Sequence, residues 1–250
     1  MSTGGGSIGV HYEVYGQGFP LMLGFPITAS PRLEDPDGRV LQGYLERLTD
    51  RYRVLVMDYP NLGPGVGRSE PIPAGELTSQ RVCRDLLAMA DAAGFERFIW
   101  WGFSWGGVIG LQLASRSDRV AALVCGGWPP LGGAYADLLR ASRTVAAHRP
   151  ADFSLPPDQF VTFYESVQDW PEAEAVGRIR CPKMTFVGSE DEVELVGVRV
   201  RLAATLRERR RDLEERGWQV AEIPGRDHSV YADPAVVVPL VRGFLDGVCC

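Results

Sequence analysis

Hydrophobic residues recur along this chain in two rhythms that take turns. Ile8, Val10, Tyr12 and Val14 alternate with Gly9, His11, Glu13 and Tyr15, the period-two signature of a strand. Phe19 to Gly24 (FPLMLG) is a short apolar run, and Arg53 to Met57 (RVLVM) is nearly one, so both predict strands buried on both faces. Between them the rhythm changes, with Leu41, Tyr44, Leu45 and Leu48 at helical spacing within residues 39–50. A second helix is predicted from about Ser79 to Ala93, with Val82, Leu86, Met89 and Ala90 on one face. The stretch FIWWGFSWGGVIGL at 98–111 then reads as a buried strand running straight into a buried helix. Further strands are predicted at Val120–Cys125, Lys183–Val187 and Val220–Ile223. A long charged helix is expected from Val193 to about Arg216, and a closing helix from Pro234 to about Val248. Strands without a polar face, alternating with helices, predict an α/β protein with a largely parallel sheet covered on both sides.

One segment breaks the alternation. Residues 128 to about 175 contain no convincing strand but many aromatics, including Trp128, Tyr135, Phe153, Phe160, Phe163, Tyr164 and Trp170. The expectation is a helical insertion over one edge of the sheet. The run RERRRDLEER at 207–216 mixes acids and bases and reads as a solvated helix face.

Composition narrows the class without naming a chemistry. The 250 residues, 45% of them hydrophobic, can bury a large core as a single domain with an insertion. A formal charge of −6 argues against nucleic acid or an anionic membrane as the main partner. No apolar run approaches the roughly 18 residues a membrane span needs, and MSTGGGSIGV has neither the basic nor the apolar region of a signal peptide. The five cysteines, Cys83, Cys125, Cys181, Cys249 and Cys250, are odd in number and form no C-x-x-C pair. That pattern fits a reducing compartment, so a cytoplasmic protein is expected, with Cys249 and Cys250 exposed at the chain end.

The candidate chemistry begins at Ser104. It stands between Gly102-Phe103 and Trp105-Gly106, where a strand gives way to a helix. Ligands of open parallel sheets bind outside the carboxyl ends of the strands, and Gly-x-Ser-x-Gly at such a junction is the pattern of a sharply turned, exposed serine. A serine hydroxyl needs a positioned base, and there are only three histidines. His11 falls in the first predicted strand, where a surface position is expected, and His148 lies in the insertion, with a solvated or capping role. His228 follows a strand, in GRDHSV, and precedes the last helix, so it is the candidate base. The acid should come after another strand, and FVGSEDEVE offers Glu190, Asp191, Glu192 and Glu194. Asp191 is preferred because a short carboxylate holds an imidazole tautomer firmly. Glu192 and Glu194 are expected to favour the amino end of the following helix. Asp227 and Asp233 flank the histidine too closely in sequence to face it.

With these positions in place, nearly the whole chain resembles the α/β-hydrolase superfamily. The landmarks are GFPITAS (24–30) for the oxyanion loop, DYPNLGPGVGRSE (58–70) for an Asp-x-x-Gly-x-Gly-x-Ser loop, GFSWGG (102–107) for the nucleophile elbow, GSED (188–191) for the acid loop and GRDHSVYADP (225–234) for the histidine loop. The resemblance implies a core domain of residues 1–127 and 176–250, with 128–175 as a helical cap over the active site. It implies catalysis by Ser104, Asp191 and His228, with an oxyanion hole from the backbone N–H groups of Phe25 and Trp105. Two departures stand out. Leu23 occupies the place where many relatives carry histidine, and the 58–70 loop holds extra residues, NLGP.

The implied pocket is apolar, with Phe25, Trp105, Trp128, Tyr135, Phe163 and Tyr164 as its candidate lining. A small or medium hydrophobic carboxylic ester is the expected substrate, with lactones, thioesters and perhydrolysis as alternatives on the same three residues. A ligand-binding protein that has kept the fold but lost turnover is the rival from another class. Trp105 after the serine also resembles some proline aminopeptidases, without their fuller signature. Haloalkane dehalogenases and epoxide hydrolases normally use an aspartate where Ser104 stands. Nothing in these motifs calls for a cofactor or a metal, and a monomer or homodimer acting on a small molecule is expected.

Overall fold

The computed structural model describes residues 2–5, 10–25, 37–58, 69, 72–148 and 157–248. Ten strands and eight α-helices are found among them. In chain order they are β1 (Ser2–Gly5), β2 (His11–Tyr15), β3 (Phe19–Gly24), α1 (Arg39–Leu48), β4 (Tyr52–Met57), α2 (Ser79–Ala92), β5 (Phe98–Phe103), α3 (Trp105–Ala114) and β6 (Val120–Gly126). The insertion region carries α4 (Tyr135–His148), α5 (Pro157–Glu165) and α6 (Glu172–Arg178). The chain continues with β7 (Lys183–Gly188), β8 (Val193–Leu195), β9 (Val198–Val200), α7 (Leu202–Glu215), β10 (Trp218–Ile223), a 3₁₀ turn (His228–Ala232) and α8 (Pro234–Leu245).

Eight strands form one sheet in the order β1-β2-β4-β3-β5-β6-β7-β10. From β4 to β10 all neighbours run parallel, and only β1 and β2 are antiparallel. Strands buried on both faces follow from the unbroken apolar runs: every residue of β5 and of β7 is buried. Successive side chains go to opposite faces. Leu21, Leu23, Ile99, Trp101 and Phe103 thus join one core with α1 and α8, while Met22, Phe98 and Trp100 join another with α2, α3 and α7. Helices α1 and α2 bury the faces their spacing predicted: Tyr44, Leu45 and Leu48 in α1, and Val82, Leu86, Met89 and Ala90 in α2. Thr78 caps α2, accepting from the Arg81 amide at 3.1 Å.

The region after Asp191 departs from expectation. Instead of one long helix from Val193, a two-stranded hairpin comes first and the helix starts at Leu202. Each arm of the segment VELVGVRV alternates apolar and charged residues, with Val196 and Gly197 at its centre. Both central residues have positive φ, 43° and 79°, the backbone of a tight hairpin turn. Glu192 consequently does not stand at a helix start. It pairs with Arg199 across the hairpin at 3.3 Å.

Between β6 and β7 the described residues contain helices and no strand, as the sequence led us to expect. Among the described residues no helix is long and apolar enough to cross a membrane.

Candidate active site

The site is built by three strand ends. Strands β5, β7 and β10 run parallel, so their carboxyl ends share one edge of the sheet, and each is followed by one of the three candidate residues. Ser104 comes directly after β5. Its φ of 54° and ψ of −118° lie in a region a non-glycine residue rarely occupies, at a strain of roughly 1–3 kcal/mol. Its amide donates to the Gly126 carbonyl at 2.8 Å, and its own carbonyl accepts from the Gly107 amide at 2.8 Å. The turn is held from both sides, and this offsets the strain.

The glycines around Ser104 are steric requirements. A Cβ on Gly106 would stand 1.8 Å from the Gly24 carbonyl oxygen, and one on Gly102 would stand 2.0 Å from the Gly106 carbonyl oxygen. Strands β3 and β5 and helix α3 meet here backbone to backbone. Trp100 lies beneath the junction, and its indole N–H donates to the Gly106 carbonyl at 2.9 Å.

Two strand spacings separate β5 from β7, about 10 Å, and the His228 imidazole spans the gap. Its Nδ1 lies 2.8 Å from Asp191 Oδ1 and its Nε2 lies 2.9 Å from Ser104 Oγ. A carboxylate can only accept, so Nδ1 carries the proton and Nε2 is left to accept from the serine hydroxyl. Asp191 is buried, and its second oxygen has no hydrogen-bond partner among the described residues. Its charge is therefore spent on the imidazole. The two loops bearing this pair are stitched together: the Glu190 amide donates to the Arg226 carbonyl at 2.9 Å, and the Gly225 amide donates to Ser189 Oγ at 2.8 Å.

The remaining candidates fall elsewhere. His11 lies in β2 with Nε2 3.4 Å from Glu13, and His148 is exposed at the end of α4 with Nδ1 2.8 Å from the Thr144 carbonyl. Asp227 accepts from the Ser229 amide and hydroxyl, and Asp233 pairs with Arg226, so neither serves the imidazole. Glu190 and Glu194 are likewise outside the relay. Trp105 opens α3, where backbone N–H groups lack helical partners. Phe25 follows β3, the hydrogen-bonded neighbour of β5, so its amide sits at the same edge. The Phe25 side chain, also expected in the pocket wall, turns away. It packs edge-on against Tyr44 and Trp101 in the core under α1 and α8.

Above Ser104 the half-buried Trp105 ring meets Phe163 at 5.0 Å and Phe160 at 6.2 Å, both from α5. Phe163 and Tyr164 are buried and hold α5 in place. Phe160, half-buried, is a contact that sequence reasoning passed over, because a lone aromatic at helical spacing looks like any core residue. Trp128, Tyr135 and Trp170 make a second aromatic run, with Tyr135 5.5 Å from Trp128 and 6.1 Å from Trp170. Burial pushes the Tyr135 phenol well above its ordinary range, helped by the neighbouring Glu172 charge. Residues 26–30 of the oxyanion loop and the extra residues 61–64 lie outside the described residues. The base of the 58–70 loop is pinched shut: Ser69 donates from its amide to Asp58 Oδ2 at 3.1 Å and from its hydroxyl to the Asp58 carbonyl at 2.7 Å.

Comparisons with known proteins bear on the fold. The model of the alpha/beta hydrolase fold family matches residues 39–143. RutD of Azorhizobium caulinodans, named for carbamate hydrolysis, is 26% identical over 211 residues, 78% of this chain and 75% of its own length. A carboxylesterase structure from Nitrososphaera gargenis superposes with a TM-score of 0.70 at 19% identity, covering 97% of this chain and 96% of that one. The enol-lactonase of Burkholderia xenovorans gives 0.67 at 17% identity, covering 95% and 96%. The sheet order and these likenesses show that the chain has the α/β-hydrolase fold.

Proposed function

We propose that the protein is a serine hydrolase cleaving small or medium hydrophobic carboxylic esters. The observation that carries this reading is the unbroken line from Asp191 Oδ1 through the imidazole to Ser104 Oγ, with contacts of 2.8 and 2.9 Å. In the first step Ser104 Oγ bonds to the ester carbonyl carbon while His228 Nε2 takes its proton. The carbonyl oxygen becomes an oxyanion facing the backbone N–H groups of Trp105 and Phe25. One such donor is worth about 3 kcal/mol of barrier. The carbon–oxygen bond to the alcohol then breaks as His228 returns the proton to the leaving oxygen. Water attacks the acyl-serine with the same imidazole as base, releasing the acid and restoring Ser104.

Residues 128–175 act in this reading as the cap, and the rings of Trp105, Phe160 and Trp128 supply the apolar wall that favours a hydrophobic acyl or alcohol group. Similarity to proteins named for carbamate hydrolysis and enol-lactone opening extends the range of carbonyl substrates worth testing. The deciding experiment is labelling with a fluorophosphonate, together with turnover of an ester, lactone, thioester and carbamate panel by wild type and Ser104→Ala. We expect labelling and ester turnover in the wild type, both lost in the variant. A wild type that neither labels nor turns over any panel member would overturn the reading in favour of a binding protein on this fold.

A further inference from the structure

Resting on that reading of Ser104 and His228, we infer that Phe103 is a positioning residue for His228. The two hydrogen bonds of the imidazole fix its ends but leave it free to rock about the line joining its nitrogens. Something must set the plane of the ring. Phe103 immediately precedes the nucleophile, and strand alternation sends its side chain to the face of the sheet that carries α8 and the histidine loop. Its ring centroid lies 5.1 Å from that of His228, with the planes inclined at 50°. On the histidine loop it also meets Tyr231, at 5.0 Å, so it touches the 3₁₀ turn at both His228 and Tyr231.

The surroundings are shaped to hold this ring. Phe103 is fully buried. A Cβ on Gly127 would stand 2.5 Å from the tip of the Phe103 ring, and one on Gly126 would stand 2.7 Å from its edge. The end of β6 thus gives up side chains at two successive positions where the ring passes. Phe186 closes the cluster from β7, 6.1 Å from Phe103. On the loop side the Tyr231 backbone carbonyl accepts from the Tyr44 hydroxyl at 2.8 Å, tying the turn to α1. Phe103 therefore sits wedged between a rigid strand end and a tethered turn, with its ring against the base. Movement of the elbow and movement of the imidazole are coupled through one side chain.

The test compares two core variants. Phe103→Leu removes the ring contact with His228, while Phe186→Leu loosens the same cluster without touching the imidazole. A misplacement on the scale of an ångström can cost about 100-fold in rate. We expect Phe103→Leu to lower kcat and the rate of fluorophosphonate inactivation by about 10- to 100-fold with KM within about twofold. Phe186→Leu should leave both rates within about twofold at a similar loss of melting temperature. The downfield proton NMR signal of the imidazole Nδ1–H bound to Asp191 should broaden in Phe103→Leu and persist in Phe186→Leu. Equal kinetic effects of the two variants, or an unchanged Nδ1–H signal in Phe103→Leu, would overturn the inference. Activity that survives Ser104→Ala would instead overturn the proposed function, so the two failures are distinguishable.

Discussion

Asp191 shows how much one side chain carries in this molecule. It is the only acid of the GSEDEVE cluster whose side chain turns inward, and it is buried with one oxygen committed to His228 Nδ1. Its worth lies in the tautomer it selects. An amide in its place could donate to Nδ1, which would move the ring proton to Nε2 and leave Ser104 Oγ without an acceptor. Asp191→Asn should therefore lower kcat by a factor on the order of 10⁴ with little change in KM. Steady-state kinetics on a short acyl ester would check this, and a variant within tenfold of wild type would contradict the assigned role.

Among the elements, legibility in the sequence followed burial. Strands β3, β4, β5, β6 and β7 announce themselves as apolar runs because both faces are covered; Ser104 and Asp191 each follow such a strand and His228 follows the edge strand β10, so their order along the chain already implied one shared edge. The β8–β9 hairpin was missed because its residues are largely exposed and its charges at Glu194 and Arg199 suit a solvated helix equally well. Only the positive φ at Val196 and Gly197 shows the turn, and valine gives no warning of it. The pocket was hard to read for a related reason: Phe25 lies beside the end of β3 in sequence, but a ring's direction depends on packing that no local pattern encodes. The same holds for Glu172, unremarkable in sequence, which joins both ends of the helical insertion. Its carboxylate accepts from the Gly132 amide at 2.6 Å and from the Gly133 amide at 3.0 Å, so the segment leaving β6 is clipped to the first residue of α6. Burial raises its pKa above the ordinary carboxylate value of 4.5, partly offset by those two amides, the Tyr135 hydroxyl and Arg209. A carboxyl with a raised folded-state pKa binds its proton more tightly folded than unfolded. Ionised Glu172 therefore costs stability at neutral pH, and that cost disappears as pH falls through the folded pKa toward 4.5. Melting curves should show wild type gaining on Glu172→Gln across that window. A difference that is constant with pH would mean the clip does not titrate there.

At the scale of the whole molecule, the sheet is a partition that belongs to both of its cores. Leu21 and Met22 are adjacent on β3, and both are fully buried, but Leu21 packs with α1 and α8 whereas Met22 packs with α2 and α3. Removing either side chain opens a cavity worth about 2–5 kcal/mol. If the two layers could melt separately, Leu21→Ala would release α1 and α8 first and leave the other side standing. The topology argues otherwise. Strand β3 is hydrogen-bonded on both edges, to β4 and β5, so loosening one face strains the register on which the other face depends. The site imposes the same condition, since Ser104 and His228 follow strands β5 and β10 while Phe103, between them, packs into the α1–α8 core. Both variants should accordingly lower one shared transition, by about 2–4 °C per kcal/mol for a chain of this size. Far-UV circular dichroism and tryptophan fluorescence would follow it together, because Trp100 reports from one core and Trp101 from the other. Coincident curves in both variants are the expected outcome. A biphasic melt in Leu21→Ala, with fluorescence leading dichroism, would show instead that the α1–α8 layer can leave without the rest, and that the edge holding Ser104 is only as stable as that layer.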